Sequence, residues 1–578
     1  MSIARDGTGG IVYLEYAGGQ QHVFVSRLVG GQFRPPQQVD SSLGGASSQP
    51  VIAASNNGLL LIAFINSGSL YVVSRPSASV PFSPPRFLAG AASNPSIQAN
   101  SFGRAYLAFT VAGSGGSDVD AAYYDSRNWS VESTPLDASP GGAAGSGQGR
   151  PRVATAGDGI GTVAWGERGH IYTRRVWGTS PSVLFEQADD IGSVNGWSEV
   201  SAADPDVAVG GNSSWVGVAF EETFSNGSQQ QSRVMYNRLQ GGLFNGSAGV
   251  DLLTTPGTDG ATDPRVAMAE YGSGLVTSSG QTSNQVIAGV LGQNGSVAGS
   301  YRGDSLPNSS PPHAVPGVAG LNSLVLAWQH DAGGIGATEI RARYFLASNG
   351  LFPEQVLSTP SWGPTDAASG IAAGGDQNGD VAVAWVQGTP GTRRIVVGQM
   401  YQPPGKPAGL SKYARGSHPV ISWQPPPGAW GPMRYVVRFD GVFKGTTTAT
   451  SMTVPRRVSA GPHAFTVTAT DPAGFQSPTV QSRVLIDTVK PQLSFKLNAR
   501  GGFATINLQY TDRPRGALYS SGIGSIVIQW GDGSISHLAV GQNRRSHVYR
   551  RRGRFGVKAI VSDRARNATR QGQQITIS

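Results

Sequence analysis

Several things are scarce in this sequence, and each shortage removes a class of function. There is no cysteine among its 578 residues, which excludes disulfides, thiolate nucleophiles and cysteine-held zinc. No apolar stretch approaches the roughly 18 residues of a membrane span. Met1 to Gly10 has neither the basic nor the apolar segment of a secretory leader, so for a secreted chain the signal is expected upstream of this sequence. Charge is sparse, with Asp, Glu, Lys and Arg at 14%. Ser, Thr, Asn, Gln and Gly must cover the surface, which suits a secreted β protein better than a cytosolic helical enzyme.

Lysine is missing from the first 400 residues. Residues 1–400 hold 20 Lys+Arg against 29 Asp+Glu, a net −9, whereas 401–578 hold 24 against 6, a net +18. Such a break in composition and charge marks a domain boundary near 401. The basic end is a candidate for meeting an anionic surface such as a cell envelope.

What the chain has in quantity is turn residues and short apolar runs: Gly 81, Pro 37 and a hydrophobic fraction of 39%. A phrase of the form Pro-x-apolar-Ala, a short turn, then Gly-apolar-apolar-apolar-Ala-aromatic recurs, as in PVIAASNNGLLLIAF at Pro50 and PSIQANSFGRAYLAF at Pro95. Register starts at 2, 50, 95, 151, 205, 264, 312 and 369 give eight units. Each reads as four short strands, one blade of a β-propeller. The last unit has three recognisable strands, and its fourth is expected from residues upstream of Met1. Phe64, Phe109, Trp165, Phe220, Trp328 and Trp385 share one register position and are expected to pack between blades.

After the linker QPPGKP, the segments PVISWQPP, RYVVRFDG and HAFTVTATDPAGFQSP resemble a fibronectin type III domain over 403–487, with Trp423 at its strand-B tryptophan and Phe465 where a tyrosine usually stands. That departure loses the tyrosine-corner hydrogen bond. WGDGS at Trp530, HVY at His547 and the V-x-D-x-x-x-N spacing ending at Asn567 resemble a PKD domain over 488–578; in that family such residues are turn and core. The expected fold is all-β: a propeller over 1–402 followed by two Ig-like sandwiches. The order resembles that of secreted bacterial surface proteins with a propeller head on a modular stalk.

Loop lengths point to the functional face. Turns between first and second strands (SNNG, NSFG) and between third and fourth (VGGQ, LQGG) are short, while those between second and third strands and between blades are long. In an up-and-down blade the two sets emerge on opposite faces, so the long loops gather on one. Those loops carry Asp118, Asp120, Asp189, Asp190, Glu199, Asp204, Glu221, Glu222, Asp259, Asp263, Asp331 and Asp366, with Trp197 and Trp362. Carboxylates accept sugar hydroxyls and an indole stacks on a pyranose, so Trp197, Trp362, Asp189, Asp190, Glu221, Glu222, Asp331 and Asp366 are the candidate ligand residues. A solvated loop surface with the indoles folded back is the plainer reading.

Propellers also host glycosidases, which need a carboxylate pair. The chain lacks aspartate boxes, G-x-S-x-G and HExxH, and none of its eight His pair at metal spacing. No catalytic residue and no cofactor is assigned, with a structural calcium left as the alternative; DQNGD at Asp376 is a fragment of a calcium loop that reads as a structural turn. Arg544, Arg545, Arg550, Arg551, Arg552 and Arg554 form a basic run suited to a polyanion, a cell-surface polymer before a nucleic acid. Expected partners are thus an extracellular glycan or polymer and an anionic envelope. The competing readings are a structural subunit that self-assembles through the acidic and basic parts, and a glycosidase.

Overall fold

A computed structural model describes the chain except residues 114, 138–141, 183–185, 190–192, 195, 241–242, 245–249, 252–258, 293–296, 334–337, 347–349 and 514–516. The described residues form strands and three short 3-10 turns, with no α-helix; no helix is long and apolar enough to cross a membrane. Two compact units are present, Met1–Gln402 and Pro403–Ser578.

In the first unit each sequence repeat is one antiparallel sheet, eight in chain order among the described residues. The third runs Ala92–Ala99, Ala105–Gly113, Gly116–Tyr124 and Trp129–Val131, neighbours in space as in sequence. The eighth has three strands, Thr365–Gly375, Val381–Gln387 and Arg394–Met400. Four first strands carry a bulge just before the repeated proline, where Gln49, Asn94, Asp204 and Asp263 take φ of 50°, 52°, 46° and 59°. Asn and Asp tolerate this left-handed region better than most residues, and the bulge adds local twist.

Second strands are apolar on both faces because each lies between two neighbouring sheets. Phe64, Phe109, Trp165, Phe220, Trp328 and Trp385 are all at most 1% exposed. Separate apolar cores fill the gaps between successive sheets, from the first pair, with Val25 and Phe64, to the last, with Tyr344 and Trp385.

Hydrogen bonds link every sheet to the next and the eighth to the first. In order they are Asn57 N to Asp6 Oδ2 (2.6 Å), Ser55 Oγ to Asn100 O (2.6 Å), Asn100 Nδ2 to Ala156 O (2.9 Å) and Gly157 N to Gly211 O (2.9 Å). Val266 N to Asp206 Oδ2 (2.9 Å), Tyr271 N to Leu321 O (3.3 Å), Tyr344 Oη to Gly379 O (2.8 Å) and Gln377 N to Arg5 O (3.0 Å) complete the circuit. Gln399 Nε2 also donates to Gly31 O at 2.6 Å. Val381, Val383 and Trp385 pack toward the seventh sheet. Ala382 and Ala384 point the other way along the strand, yet are 0% and 2% exposed.

The second unit holds two cores. The first lies between a sheet of Tyr413–Arg415, Val480–Asp487, Gly461–Thr470, Arg434–Phe439 and Val442–Thr447 and a pair, Val420–Ser422 with Ser451–Thr453. It is filled by Trp423, Tyr435, Phe465 and Ile486. The second lies between Gln492–Arg500, Phe503–Thr511, Arg544–Val548 and a four-stranded sheet built on Ile523–Gln529 and Gly553–Asp563. There Trp530 is fully buried, donates to Ser536 Oγ at 2.9 Å and stacks on His547 at 4.8 Å, while Tyr549 Oη donates to Trp530 O at 2.8 Å. These motif residues tie the turn to the core.

Phe109→Ala should destabilise the first unit by about 3–5 kcal/mol in urea unfolding, as a large cavity in a close-packed core does. Phe102→Ala, at a position 74% exposed, should cost less than about 0.5 kcal/mol.

Candidate functional site

The carboxylates of the first unit divide by the work they do inside the fold. In five sheets the residue pair after the fourth strand, Val39-Asp40, Leu136-Asp137, Ala188-Asp189, Gly303-Asp304 and Leu357-Ser358, clasps one residue of the third strand. The first member's N–H donates to the carbonyl of Val23, Val119, Ile171, Val286 or Ile340. The second member's side chain accepts that same residue's N–H. A buried N–H beyond the reach of the ladder needs such an acceptor. Asp189 is therefore a clasp residue with 0% exposure, which corrects its placement among surface ligand residues. The repeats carried the signal, since the dipeptides fall at equivalent places.

Around Asp189 a polar cluster forms between the fourth and fifth sheets. His170 Nδ1 lies 3.0 Å from Asp189 Oδ2 and 3.5 Å from Glu199 Oε1. Ligand atoms of these three lie within 4.8 Å of one another, so the fold joins a histidine to carboxylates that no sequence spacing paired. Glu222 is fully buried and faces Arg233 across the strands Trp215–Ser225 and Gln230–Gln240. Burial, reinforced by Glu199 and Asp189, pushes Glu222 up to about 9. Burial lowers Arg233 to about 10, opposed by Glu222. Both are buried, on adjacent strands.

The other candidates scatter. Asp190 lies outside the described residues. Trp197 is half-buried against the core of the fourth and fifth sheets, so it is no exposed plate. Glu221 is half-buried and raised by desolvation, against a hydrogen bond from Ser232. Asp331 accepts from Ser310 Oγ at 2.8 Å and Gly333 N at 3.0 Å, holding a turn. Asp366 pairs with Arg393 at 3.0 Å and accepts from Ser369 Oγ at 2.6 Å. Trp362, in the turn Pro360–Trp362, remains 47% exposed. Asp204 and Asp263, the bulge residues, bind Arg265 at 3.1 and 2.6 Å.

A feature that sequence reasoning missed lies among the first turns. Two cavities of about 200 and 290 Å³ open there, and Arg5 and Glu270, which form an ion pair, line both. Asn100, Ser101 and Phe102 line the smaller, and Tyr271 beside Glu270 is 53% exposed. Their separate turns give no sequence sign that they meet. In the second unit Arg544, Arg545, Arg550, Arg551, Arg552 and Arg554 are all exposed.

No protein-family model matches the sequence, and no curated protein does. Among solved structures, the PKD1 domain of the Vibrio cholerae metalloprotease PrtV is similar over 16% of this chain and 99% of its own, at 19% identity and TM-score 0.13. A protein of unknown function from Dyadobacter fermentans is similar over 53% of this chain and 93% of its own, at 14% identity and TM-score 0.33. Fibronectin(III)-like modules of Clostridium thermocellum CbhA are similar over 29% of this chain and 90% of theirs, at 15% identity and TM-score 0.21.

One buried carboxylate gives a pH test. Glu132, 7% exposed, has no hydrogen-bond partner for either oxygen. Burial, aided by Asp120 and opposed by Arg174, pushes it from 4.5 up to about 7. The folded state thus holds this proton more tightly than the unfolded chain. That contribution is complete below about 4.5 and is lost as pH rises through about 7. Glu132→Gln does not titrate, so its stability relative to wild type should rise between pH 4.5 and 8 by on the order of 2 kcal/mol in urea unfolding. A constant difference across that range would show that the carboxyl is not held neutral.

Proposed function

We propose that the chain is an extracellular, non-enzymatic recognition protein. In this reading residues 1–402 are an eight-bladed β-propeller head that binds a carbohydrate or other extracellular polymer. A fibronectin III-like sandwich (403–487) and a PKD-like sandwich (488–578) carry it as a stalk. The circuit of inter-sheet hydrogen bonds supports the propeller, as do first strands that pack on one another in sequence order.

Trp362 is the observation that carries binding. The residue is 47% exposed in a turn led by Pro360, and an exposed indole suits the face of a sugar ring. Catalysis is less well supplied. Asp189 and Asp304 hold clasps, Asp204 and Asp263 share Arg265, and Glu132 is buried. For the glycosidase reading there remain Asp118 and Asp120, half-buried two residues apart on the strand Gly116–Tyr124, where burial and then Asp118 push Asp120 up to about 6.

Full-length protein on an array of glycans and cell-wall polymers should give a specific hit that Trp362→Ala weakens at least tenfold with unchanged melting. Trp197→Ala should lower stability first. A blank array from folded protein, or hits untouched by Trp362→Ala, would remove this reading.

A structural subunit that docks or assembles through its basic end has one observation in its favour, the six exposed arginines. Arg550→Glu, Arg551→Glu and Arg552→Glu together should abolish retention on an anionic polysaccharide column at about 0.1 M salt, where screening still allows attraction, and leave the array hit intact. Retention unchanged by the triple variant would exclude the patch.

A further inference from the structure

Two of the clasp aspartates face a histidine. His22 Nδ1 lies 3.3 Å from Asp40 Oδ2 in the first sheet, and His170 Nδ1 lies 3.0 Å from Asp189 Oδ2 in the fourth. Both aspartates are 0% exposed, but their surroundings differ. Asp40 Oδ1 accepts from Gln38 Nε2 at 3.0 Å, and Asp40 Oδ2 from Val23 N at 3.0 Å and from Ser47 Oγ at 2.6 Å, on the strand Ser47–Ser55 of the following sheet. Donors thus serve both of its oxygens. At Asp189 the strand Trp197–Val209 of the following sheet supplies instead a second acceptor, Glu199, with Oε1 3.5 Å from His170 Nδ1. Gln187 Nε2 lies 3.2 Å from that same nitrogen, and Asp189 Oδ1 is buried with no hydrogen-bond partner.

One ring nitrogen cannot serve so many neighbours. Nδ1 carries at most one proton, which points well at only one oxygen, and without that proton it is an acceptor facing two further acceptors. Ligand atoms of His170, Asp189 and Glu199 nevertheless lie within 4.8 Å of one another. Among the described residues His170 is the ion-pair partner of Asp189, and it is a cation only when protonated. The neighbouring Glu222 is set against Arg233 on the adjacent strand. A buried carboxylate oxygen that meets neither donor nor cation is costly.

We propose that His170, Asp189 and Glu199 hold a divalent transition-metal ion between the fourth and fifth sheets, with zinc the ion that suits them best. Zinc takes imidazole nitrogen at about 2.0–2.1 Å and carboxylate oxygen at about 2.0–2.2 Å in tetrahedral geometry, which sets two ligand atoms about 3.3–3.5 Å apart. The separations of 3.0 and 3.5 Å from Nδ1 lie close to that spacing, so small shifts seat the ion. An imidazole ligand favours zinc and its first-row neighbours over calcium and magnesium, which take oxygen. Three protein ligands leave a fourth position for water. The His170 side chain is 39% exposed, which gives the ion a way in from solvent. His170 and Asp189 belong to the fourth sheet and Glu199 to the fifth, so the ion ties the two, adding to the bond from Ala202 N to Gly169 O at 2.6 Å.

Chelator-treated full-length protein should bind zinc in titration calorimetry, and its first unit should melt at least about 2 °C higher with zinc than in EDTA. His170→Gln and Glu199→Gln should each weaken the binding at least tenfold and abolish the shift, while melting in EDTA within about 2 °C of wild type. His22→Gln, at the pair that meets no second carboxylate, should keep both the affinity and the shift. Hydrogen exchange of wild type provides a readout free of mutation: zinc should slow the amides of Ile171 and Ala202, and calcium should not. No zinc-dependent heat or shift in wild type would overturn the proposal. So would undiminished affinity in His170→Gln, or zinc protection confined to other segments.

Discussion

A strand buried on both faces cannot end a stack of sheets. Leu59–Asn66 is buried at every residue, and Val381–Gln387, in the last sheet of the first unit, is buried at all but one. One face of that last strand is met by the seventh sheet, and the other, with Ala382 and Ala384, must be met by something else. The hydrogen bonds from Gln377 N to Arg5 O and from Gln399 Nε2 to Gly31 O bring the first sheet to it. Small alanines at this junction allow close approach. Elsewhere large aromatics fill the gaps, as Trp385 does toward the seventh sheet.

This constraint decides what the carboxylates are free to do. Short fourth strands leave third-strand amides without ladder partners, and the clasp aspartates are spent satisfying them. Bulges before the repeated prolines place Asp204 and Asp263 against Arg265. Acidity counted along the sequence therefore overstates the acidity presented to a ligand. What remains accessible includes aromatic surface, with Trp362 among the long connections and Phe102 and Tyr271 among the first turns, beside exposed carboxylates such as Asp125, Asp158 and Glu270.

The repeat phrase made the eight sheets legible because each second strand must be apolar on both faces, a pattern strong enough to read without structure. The split of charge at 401 was equally plain, and the units divide at Gln402 and Pro403. Site residues were harder to read. Trp197 and Trp362 look alike in sequence, both in long connections, but Trp197 begins a strand that folds onto a core and Trp362 sits in a proline-led turn. Asp189 was visible as an acidic loop residue, while its clasp role needed comparison of dipeptides across repeats. Asp487, Asp512 and Asp563, whose carboxylates meet in the second unit, lie far apart in sequence and on three different sheets, and only the packing of those sheets brings them together.

Whether the first unit behaves as one closed body is the claim on which the rest stands. Residue-resolved hydrogen exchange under native conditions measures it, since a ring and an open array open differently. The account predicts that core amides of the first and eighth sheets, such as those of Val25 and Ala384, exchange with the same opening free energy as those of the fourth and fifth. Terminal sheets that open at markedly lower free energy than the middle ones would contradict it, because they would show a linear stack with frayed ends.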